Sequence, residues 1–399
     1  MEFDYVIVGG GSAGCVLAAR LAENREARVC LIEAGGKGRN LFIRMPAGNG
    51  LVFGNAKLDW GFESVPQPAL NDRKIYFPRG RALGGSSIMN GMIYIRGVPQ
   101  DYDAWRESGL SGWGFSDLLP YFRRSQGAVD REGAWHGVDG PVKTEASVNF
   151  GELEEAFIEA AVACGHQRLD DFNGPHRAGV GRTDSTVHRG IRQSSAISYL
   201  AKPPSNLKIL THRQVVRVIL EGGVAKGVET LGKEKIVARE EVILCQGAFG
   251  TPQTLMLSGI GPAAHLNQYG INAVVDLPGV GQSLADHVDV SMQYGSDRMD
   301  LSLARHQRLD RAAWLMARWL FNGSGPGGGA FFSSVIFHGL NDPAMPEFET
   351  FMTPMTVHEN MTDGEVEKAP LMQRLGRHLL VRGRQVAKPG VQIDINLER

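Results

Sequence analysis

Residues 5–21 read YVIVGGGSAGCVLAARL, and this stretch decides the fold. The apolar run Tyr5–Val8 is typical of a strand that is buried on both faces of a parallel sheet. The glycine-rich turn Gly9–Gly14 follows, and Cys15–Leu21 has the composition of a helix. A second apolar run, Val29–Ile32, closes a β-α-β unit. The sequence therefore predicts an α/β fold built on a parallel sheet.

The glycines of this turn match the spacing G-x-G-x-x-G, which is typical of dinucleotide-binding proteins. The first glycine permits a tight turn, the second admits a pyrophosphate, and the third lets the helix pack on the strand. Glu33, about 20 positions further on, is suited to bind ribose hydroxyls and would repel a 2′-phosphate. A turn without ligand and a solvated strand-end acid are the alternatives. The residues expected to bind the ligand are Gly9, Gly11, Ser12, Ala13, Gly14, Glu33 and Ala34.

Residues 80–103, GRALGGSSIMNGMIYIRGVPQDYD, form a second block rich in glycine and serine. The pair Gly84–Gly85 lets the backbone pass close to a flat, anionic group. Backbone N–H groups near Asn90–Ile93 could face the edge of a ring on which negative charge builds during reduction. Together with the N-terminal turn, the block indicates a flavin rather than a nicotinamide. A structural glycine loop is the alternative.

This block resembles the first signature of the GMC (glucose-methanol-choline) flavoprotein oxidoreductases, the family of glucose oxidase, choline dehydrogenase and aryl-alcohol oxidase. Residues 247–261 resemble the second signature, although Thr254 stands where the family prefers an aliphatic residue. The resemblance covers residues 3–290 and favours the choline dehydrogenase branch. It implies a non-covalent FAD, because Asn90 stands where other members carry a histidine that can bind the flavin covalently. The FAD-binding residues that it implies are Trp60, Arg81, Leu83, Gly84, Gly85, Ser86, Asn90, Gly91, Met92, Ile93, Val215 and Gly247.

The resemblance implies oxidation of a small-molecule alcohol, with a histidine taking the hydroxyl proton while the carbon gives a hydride to flavin N5. The family carries this histidine, with a second histidine or an asparagine, in a further C-terminal region that residues 291–399 do not resemble. We therefore assign no catalytic residue and expect a C-terminally truncated chain, with His136 and His287 structural. The electron acceptor stays open. The alternatives are an FAD-binding chain without turnover, a poorly folded fragment, a lyase or decarboxylase on the same fold, and an NAD-dependent dehydrogenase.

Two domains are expected. Residues 1–150 and 206–290 would form an FAD-binding, Rossmann-like domain whose parallel sheet contains an inserted antiparallel meander at 206–242. Residues 151–205 and 291–399 would form an α+β substrate domain, incomplete at its C-terminus. Within these domains the pattern predicts helices at Asp117–Arg124 and Glu152–Cys164, a helix with Thr251 as its N-cap, and a strand at Gln392–Leu397 without a partner.

Composition limits the other function classes. The 42 Lys and Arg residues balance 43 Asp and Glu residues, which argues against a nucleic-acid partner. The four cysteines are expected to be buried thiols of a reducing compartment, and no metal-ligand spacing occurs among the Cys and His residues. The N-terminus has no secretory signal pattern and no apolar run is long enough for a membrane span, so we expect a cytoplasmic protein. Peripheral membrane attachment stays open.

Overall fold

The computed structural model describes residues 1–148, 151–298, 300–307, 309–342, 345–357, 387–388 and 390–397. In these ranges no helix combines the length and the apolar character that crossing a bilayer requires. The strands are β1 (Glu2–Val8), β2 (Val29–Ile32), β3 (Phe62–Glu63), β4 (Tyr76–Phe77), β5 (Gln126–Ala128), β6 (Val142–Ala146), β7 (Gly179–Arg182), β8 (Asp184–Ser185), β9 (Val187–His188), β10 (Ile191–Arg192), β11 (Leu207–Leu210), β12 (Val215–Glu221), β13 (Val224–Thr230), β14 (Lys235–Leu244), β15 (Ile260–Gly261), β16 (Val275–Asp276), β17 (Val288–Gly295), β18 (Ser334–His338), β19 (Phe348–Thr353), β20 (Thr356–Val357), β21 (Ala387–Lys388) and β22 (Gly390–Leu397).

The α-helices are α1 (Ser12–Leu21), α2 (Leu41–Arg44), α3 (Pro99–Glu107), α4 (Phe115–Ser125), α5 (Glu152–Ala163), α6 (Ser195–Tyr199), α7 (Gly247–Leu257), α8 (Ala263–Gln268) and α9 (Leu309–Asn322). Short 3-10 helices cover Pro46–Leu51, Pro68–Leu70, Gly85–Ile88, Leu303–Gln307 and Pro326–Gly328. The helices predicted at 117–124 and 152–164 are present as α4 and α5.

The chain divides into two compact units. The first unit contains Met1–Arg39, Ala56–Met89 and Ser194–Asp286, and the second contains Asn40–Asn55, Asn90–Gln193 and His287–Arg399. These boundaries differ from the sequence-based ones, because residues 90–150 belong to the second unit. The reason is strand pairing, since β6 pairs with β8 and the Tyr94 N–H donates to the carbonyl of Asp184 (2.9 Å).

The first unit is built on a six-stranded sheet with the order β11-β2-β1-β14-β13-β12. Strands β11, β2, β1 and β14 run parallel, while β12, β13 and β14 pair antiparallel. The predicted α/β fold is therefore confirmed. One detail was wrong: β11 was expected in the antiparallel meander, but it pairs in parallel with β2, because its apolar side chains extend the core of the parallel sheet.

The core of the first unit lies on both faces of this sheet. Ile7 and Leu31 pack with α1 on one face, whereas Val6 and Cys30 pack with the inner side chains of β12, β13 and β14 on the other. This alternation follows from the two-residue period of a strand. It explains why Tyr5–Val8 of β1 and all of β2 are continuous apolar runs.

The second unit contains a five-stranded antiparallel sheet with the order β17-β22-β19-β18-β7. The strand predicted at 392–397 was expected to lack a partner, and this was wrong. It lies within β22, which pairs with β17 from Val288 to Gly295 and with β19 from Phe348 to Thr353. The partners were missed because paired residues of β17 and β22 lie 95–109 positions apart and those of β19 and β22 lie 39–49 positions apart, and a local pattern does not encode such pairing.

Candidate functional site

A cavity of about 550 Å³ lies in the first unit, at the carboxyl ends of its central strands. Val8, Ile32 and Leu244, the last residues of β1, β2 and β14, line it. This is the position at which open parallel sheets bind their ligands. Three glycine-containing segments that are distant in sequence meet in the lining, and the glycines that they contribute are Gly9, Gly11, Gly80, Gly85, Gly247 and Gly250.

The first segment is the turn between β1 and α1. A Cβ added at Gly14 would lie 1.9 Å from the carbonyl oxygen of Gly9, so protein packing requires glycine at this helix position. Gly11 is different, because a Cβ there would meet its nearest atoms at 3.8 Å and 3.9 Å, which is ordinary contact. Nothing in the protein requires glycine at 11, so its missing side chain leaves room for a ligand. Ser12 and Ala13, in the first turn of α1, also line the cavity.

The second glycine segment packs backbone to backbone against the first. The Gly84 N–H, at φ +104°, donates to the carbonyl of Gly10 (2.7 Å). A Cβ at Gly85 would lie 2.6 Å from Cα of Gly11. Gly85 and Ser86 line the cavity, whereas Gly84 lies behind them. The two segments therefore form one continuous glycine surface.

Glu33 lies at the end of β2 and lines the cavity although its side chain is 6% exposed. Its carboxylate accepts hydrogen bonds from the N–H groups of Gly10 (2.9 Å) and Gly35 (2.7 Å). Burial raises the pKa of the Glu33 carboxyl, against these hydrogen bonds and the charge of Arg81, which lower it. The four lone-pair sites of a carboxylate leave capacity for further donors such as ribose hydroxyls.

Residues 213–215 run beside Glu33. The Arg213 N–H donates to the Glu33 carbonyl (2.9 Å), and Arg213, Gln214 and Val215 all line the cavity. Val215 is the first residue of β12 and is 5% exposed. Glu33, the predicted ribose-binding acid, and Val215, a predicted FAD-binding residue, therefore lie in one cavity, and Ala34 lines it with them.

Aromatic rings form a further part of the cavity wall. Trp60 stacks on Phe62 with a centroid separation of 5.8 Å, and Phe62 contacts Phe249 at 5.1 Å. The Arg79 guanidinium lies 5.1 Å from the Phe249 ring. Sequence reasoning identified only Trp60 as a binding residue here. The aromatic composition around it was the available signal for Phe62, but nothing local pointed to Arg79.

Helix α7 brings a second helix N-terminus to the cavity. It begins at Gly247, four residues earlier than the predicted N-cap Thr251. That prediction was wrong: the Thr251 hydroxyl accepts a hydrogen bond from the Gln246 N–H (3.2 Å) from inside the first turns of the helix. Residues 247–251 line the cavity. The starts of α1 and α7 thus both present backbone N–H groups that favour an anion.

Some predicted residues lie outside the lining. The Arg81 guanidinium lies 4.7 Å from the ring of Trp60, which itself lines the cavity. Leu83 is part of the core that packs against α1. Gly14 and Gly84 also lie outside the lining. Four predicted residues belong to the second unit and do not line this cavity: Asn90, Gly91, Met92 and Ile93.

His136 is placed as a buried structural residue of the second unit. Its ring nitrogens lie 2.8 Å from Asp171 Oδ2 and 3.3 Å from Gln126 Oε1. Burial raises the pKa of the Asp171 carboxyl, but hydrogen bonds from His136 and Asn173 outweigh it and hold the pKa below its ordinary value. His287 is exposed in the same unit. The structural interpretation of His136 agrees with these contacts.

Residues 3–289 match the model of a protein family described as GMC oxidoreductase. The chain belongs to the GMC oxidoreductase family. It is 41% identical over 342 residues to an oxygen-dependent choline dehydrogenase from Photobacterium profundum, covering 84% of this chain and 60% of the relative. The match to the protein of the same name from Serratia proteamaculans is 40% identical over 373 residues and covers 90% of this chain and 67% of the relative.

Solved structures of other GMC enzymes share the fold. Pyridoxine 4-oxidase from Mesorbium loti superposes with a TM-score of 0.80 at 29% identity, covering 98% of this chain and 71% of that one. A formate oxidase gives a TM-score of 0.84 at 27% identity, covering 99% and 72%. This GMC oxidoreductase chain thus spans about 60% of the length of the Photobacterium choline dehydrogenase.

GMC oxidoreductases bind FAD, and the residues of the first unit fit this group. Two helix N-termini suit a pyrophosphate, and the unfilled space at Gly11 allows it to approach the backbone. Glu33 offers a carboxylate to a ribose, and Val215 lies beside it. The cavity therefore has suitable groups for the pyrophosphate and for a ribose of the dinucleotide.

Proposed function

We propose that this chain binds FAD in the cavity of its first unit and belongs to an enzyme that oxidises an alcohol. The convergence of three glycine-containing segments and two helix N-termini on one cavity carries the proposal. The names of the choline dehydrogenase relatives support an alcohol as substrate, with choline as the first candidate to test. FAD, when bound, supplies the acceptor for the hydride that the alcohol carbon loses.

We propose the following roles for the chain's own residues. The N–H groups at the starts of α1 and α7 hold the pyrophosphate, and Glu33 accepts hydrogen bonds from the ribose. The backbone of Val215 contacts the adenine. The glycine surface at Gly85 lies against the isoalloxazine, and the family resemblance alone supports Asn90–Ile93 as further FAD-binding residues. Residues 1–150 and 206–290 remain our proposal for the FAD-binding domain.

The catalytic base is proposed to lie outside residues 1–399. The resemblance to the family supports this, because no segment of 291–399 resembles the region that carries its catalytic histidine. Positions 358–386 and 398–399 lie outside the described residues. A cytoplasmic location also stays a proposal, supported by the absence of disulfides among the four cysteines.

The proposal is tested by loading the purified protein with FAD and mixing it anaerobically with choline and with simple primary alcohols. We expect the 399-residue chain to bind FAD and to reduce it slowly or not at all, and a longer chain that adds the family's C-terminal region to bleach it rapidly. Rapid bleaching by the 399-residue chain would contradict the placement of the base. Failure of the longer FAD-loaded chain to react with any alcohol would instead favour a non-redox member of the fold.

A further inference from the structure

A further cavity, of about 260 Å³, lies entirely within the second unit. It shares no lining residue with the cavity of the first unit. Among the described residues that line it are two arginines, Arg96 and Arg177, and no aspartate or glutamate. The lining therefore carries positive charge, and we call this space the Arg177 cavity.

Arg177 uses little of its hydrogen-bonding capacity. It precedes β7 and is half-buried, and its Nη2 donates to the Arg96 carbonyl. Its guanidinium packs over the Phe337 ring at 5.3 Å. The buried Nε has no acceptor within the described part of the chain. A guanidinium has five N–H donors, so most donors of Arg177 are unused by the described residues.

Arg96 adds a second positive charge to the same lining. It is 6% exposed, and its guanidinium donates to neutral oxygens: the Trp135 carbonyl (2.6 Å), Gln126 Oε1 (2.7 Å) and the Tyr94 hydroxyl. Within the described ranges neither Arg96 nor Arg177 forms an ion pair with a carboxylate. Buried charges in proteins are ordinarily paired. Two unpaired guanidiniums at one cavity therefore favour an anion inside it.

The charge of Arg177 persists at neutral pH. Burial lowers the pKa of Arg177 to about 10, and the charge of Glu349, which raises it, does not offset the burial. Glu349 does not line the Arg177 cavity. An anion that paired with this guanidinium would gain charge-assisted hydrogen bonds, which are about twice as strong as neutral ones.

The remaining lining limits the kind of anion. The rings of Phe115 and Trp135, with centroids 5.2 Å apart, and the side chains of Val98 and Pro175 give the cavity apolar walls. A volume of 260 Å³ corresponds to about nine waters at about 30 Å³ each, which suits a small ring compound but not a dinucleotide. A planar carboxylate also matches the paired donors of a guanidinium.

We propose that the Arg177 cavity binds a small organic carboxylate, with Arg177 as the residue that pairs with the carboxylate group. The apolar walls hold the body of the ligand. This site is additional to the proposed FAD-binding function and does not depend on it.

Calorimetric titration of the full chain with benzoate and with benzamide tests the proposal, because the two probes have similar shapes and differ in charge. Benzoate should bind at least tenfold more tightly than benzamide, since only the carboxylate pairs with the charge of Arg177. Arg177→Met should weaken benzoate binding about 10- to 100-fold. Arg177→Lys should weaken it less, because lysine keeps the charge but loses the paired donors.

Arg182→Met is the matched control. Arg182 is another half-buried arginine of the second unit, its Nε donates to the Ser147 carbonyl (2.7 Å), and it lies outside the lining of the Arg177 cavity. This variant should keep the benzoate affinity of the wild type. A matching loss of benzoate affinity in Arg182→Met would overturn the assignment to Arg177.

Three other results would also overturn the proposal. These are folded wild-type protein that does not bind benzoate, equal affinities for benzoate and benzamide, and wild-type benzoate affinity in a folded Arg177→Met protein. Tighter binding of inorganic phosphate than of benzoate would overturn the organic carboxylate as the ligand. If Arg177→Met does not fold, Arg177→Lys and the comparison of the two probes decide. Failure to bind FAD would contradict the proposed function alone.

Discussion

Replacing Gly11 by alanine separates ligand binding from folding. An added Cβ would lie 3.8 Å from the Cys245 carbonyl oxygen and 3.9 Å from Gly85 Cα, and the residue has φ −78°. The folded chain therefore accommodates the methyl group without strain. The methyl would instead add volume at the cavity wall beside the start of α1, where we propose that the FAD pyrophosphate lies.

The expected magnitudes differ for the two properties. For folding, alanine lowers the conformational entropy of the unfolded chain, which stabilises the protein by about 0.4–1 kcal/mol. The loss of a glycine N-cap opposes this gain, so the thermal midpoint should move by only a few degrees. For FAD, overfilling a close-packed contact costs about 1–3 kcal/mol, which corresponds to about 5- to 150-fold weaker binding.

Titration of FAD, followed by its fluorescence, with parallel thermal unfolding measures both effects. Gly279→Ala is the control for the substitution itself, because a Cβ there has nothing within 4 Å. Gly14→Ala is the opposite control: its Cβ would lie 1.9 Å from the Gly9 carbonyl oxygen, so the fold should lose stability. Wild-type FAD affinity in a well-folded Gly11→Ala protein would contradict the placement of the pyrophosphate against Gly11.

Three further predictions concern titratable groups. Burial raises the pKa of Glu33, so the free energy of unfolding of the wild type relative to Glu33→Gln should rise as pH falls through that pKa and decline towards neutral pH. Denaturant unfolding at several pH values measures this difference, and a difference that does not change with pH would contradict the prediction. The pKa of Asp171 is lowered, so Asp171→Asn should reduce the free energy of unfolding at neutral pH, and this reduction should become smaller in acid. The variant should leave FAD affinity unchanged. A changed FAD affinity would argue against a purely structural His136. Bound FAD should slow thiol labelling of the cavity-lining Cys245 but not of the exposed Cys164, as mass spectrometry can show; equal protection of both would place the ligand elsewhere.

The β1-α1-β2 unit could be predicted from sequence because its signals are local. Continuous apolar runs mark β1 and β2, and the glycine spacing marks the turn between them. Prediction failed where distant segments decide the structure. The parallel pairing of β11 with β2 and the two partners of β22 depend on register between remote strands.

The same distinction applies to the site. Gly11, Glu33 and Val215 follow from motifs with known spacing, and the structure brings them to one cavity. Arg79 carries no local signature. It becomes interpretable only through a partner far along the chain, the Phe249 ring.

The flavin content of the folded protein after incubation with FAD and gel filtration is the most direct test of whether this chain binds FAD. We predict that protein eluting as a folded species carries an equimolar amount of non-covalent FAD, which is released on denaturation. Folded protein that elutes colourless, in spite of excess FAD, would contradict it.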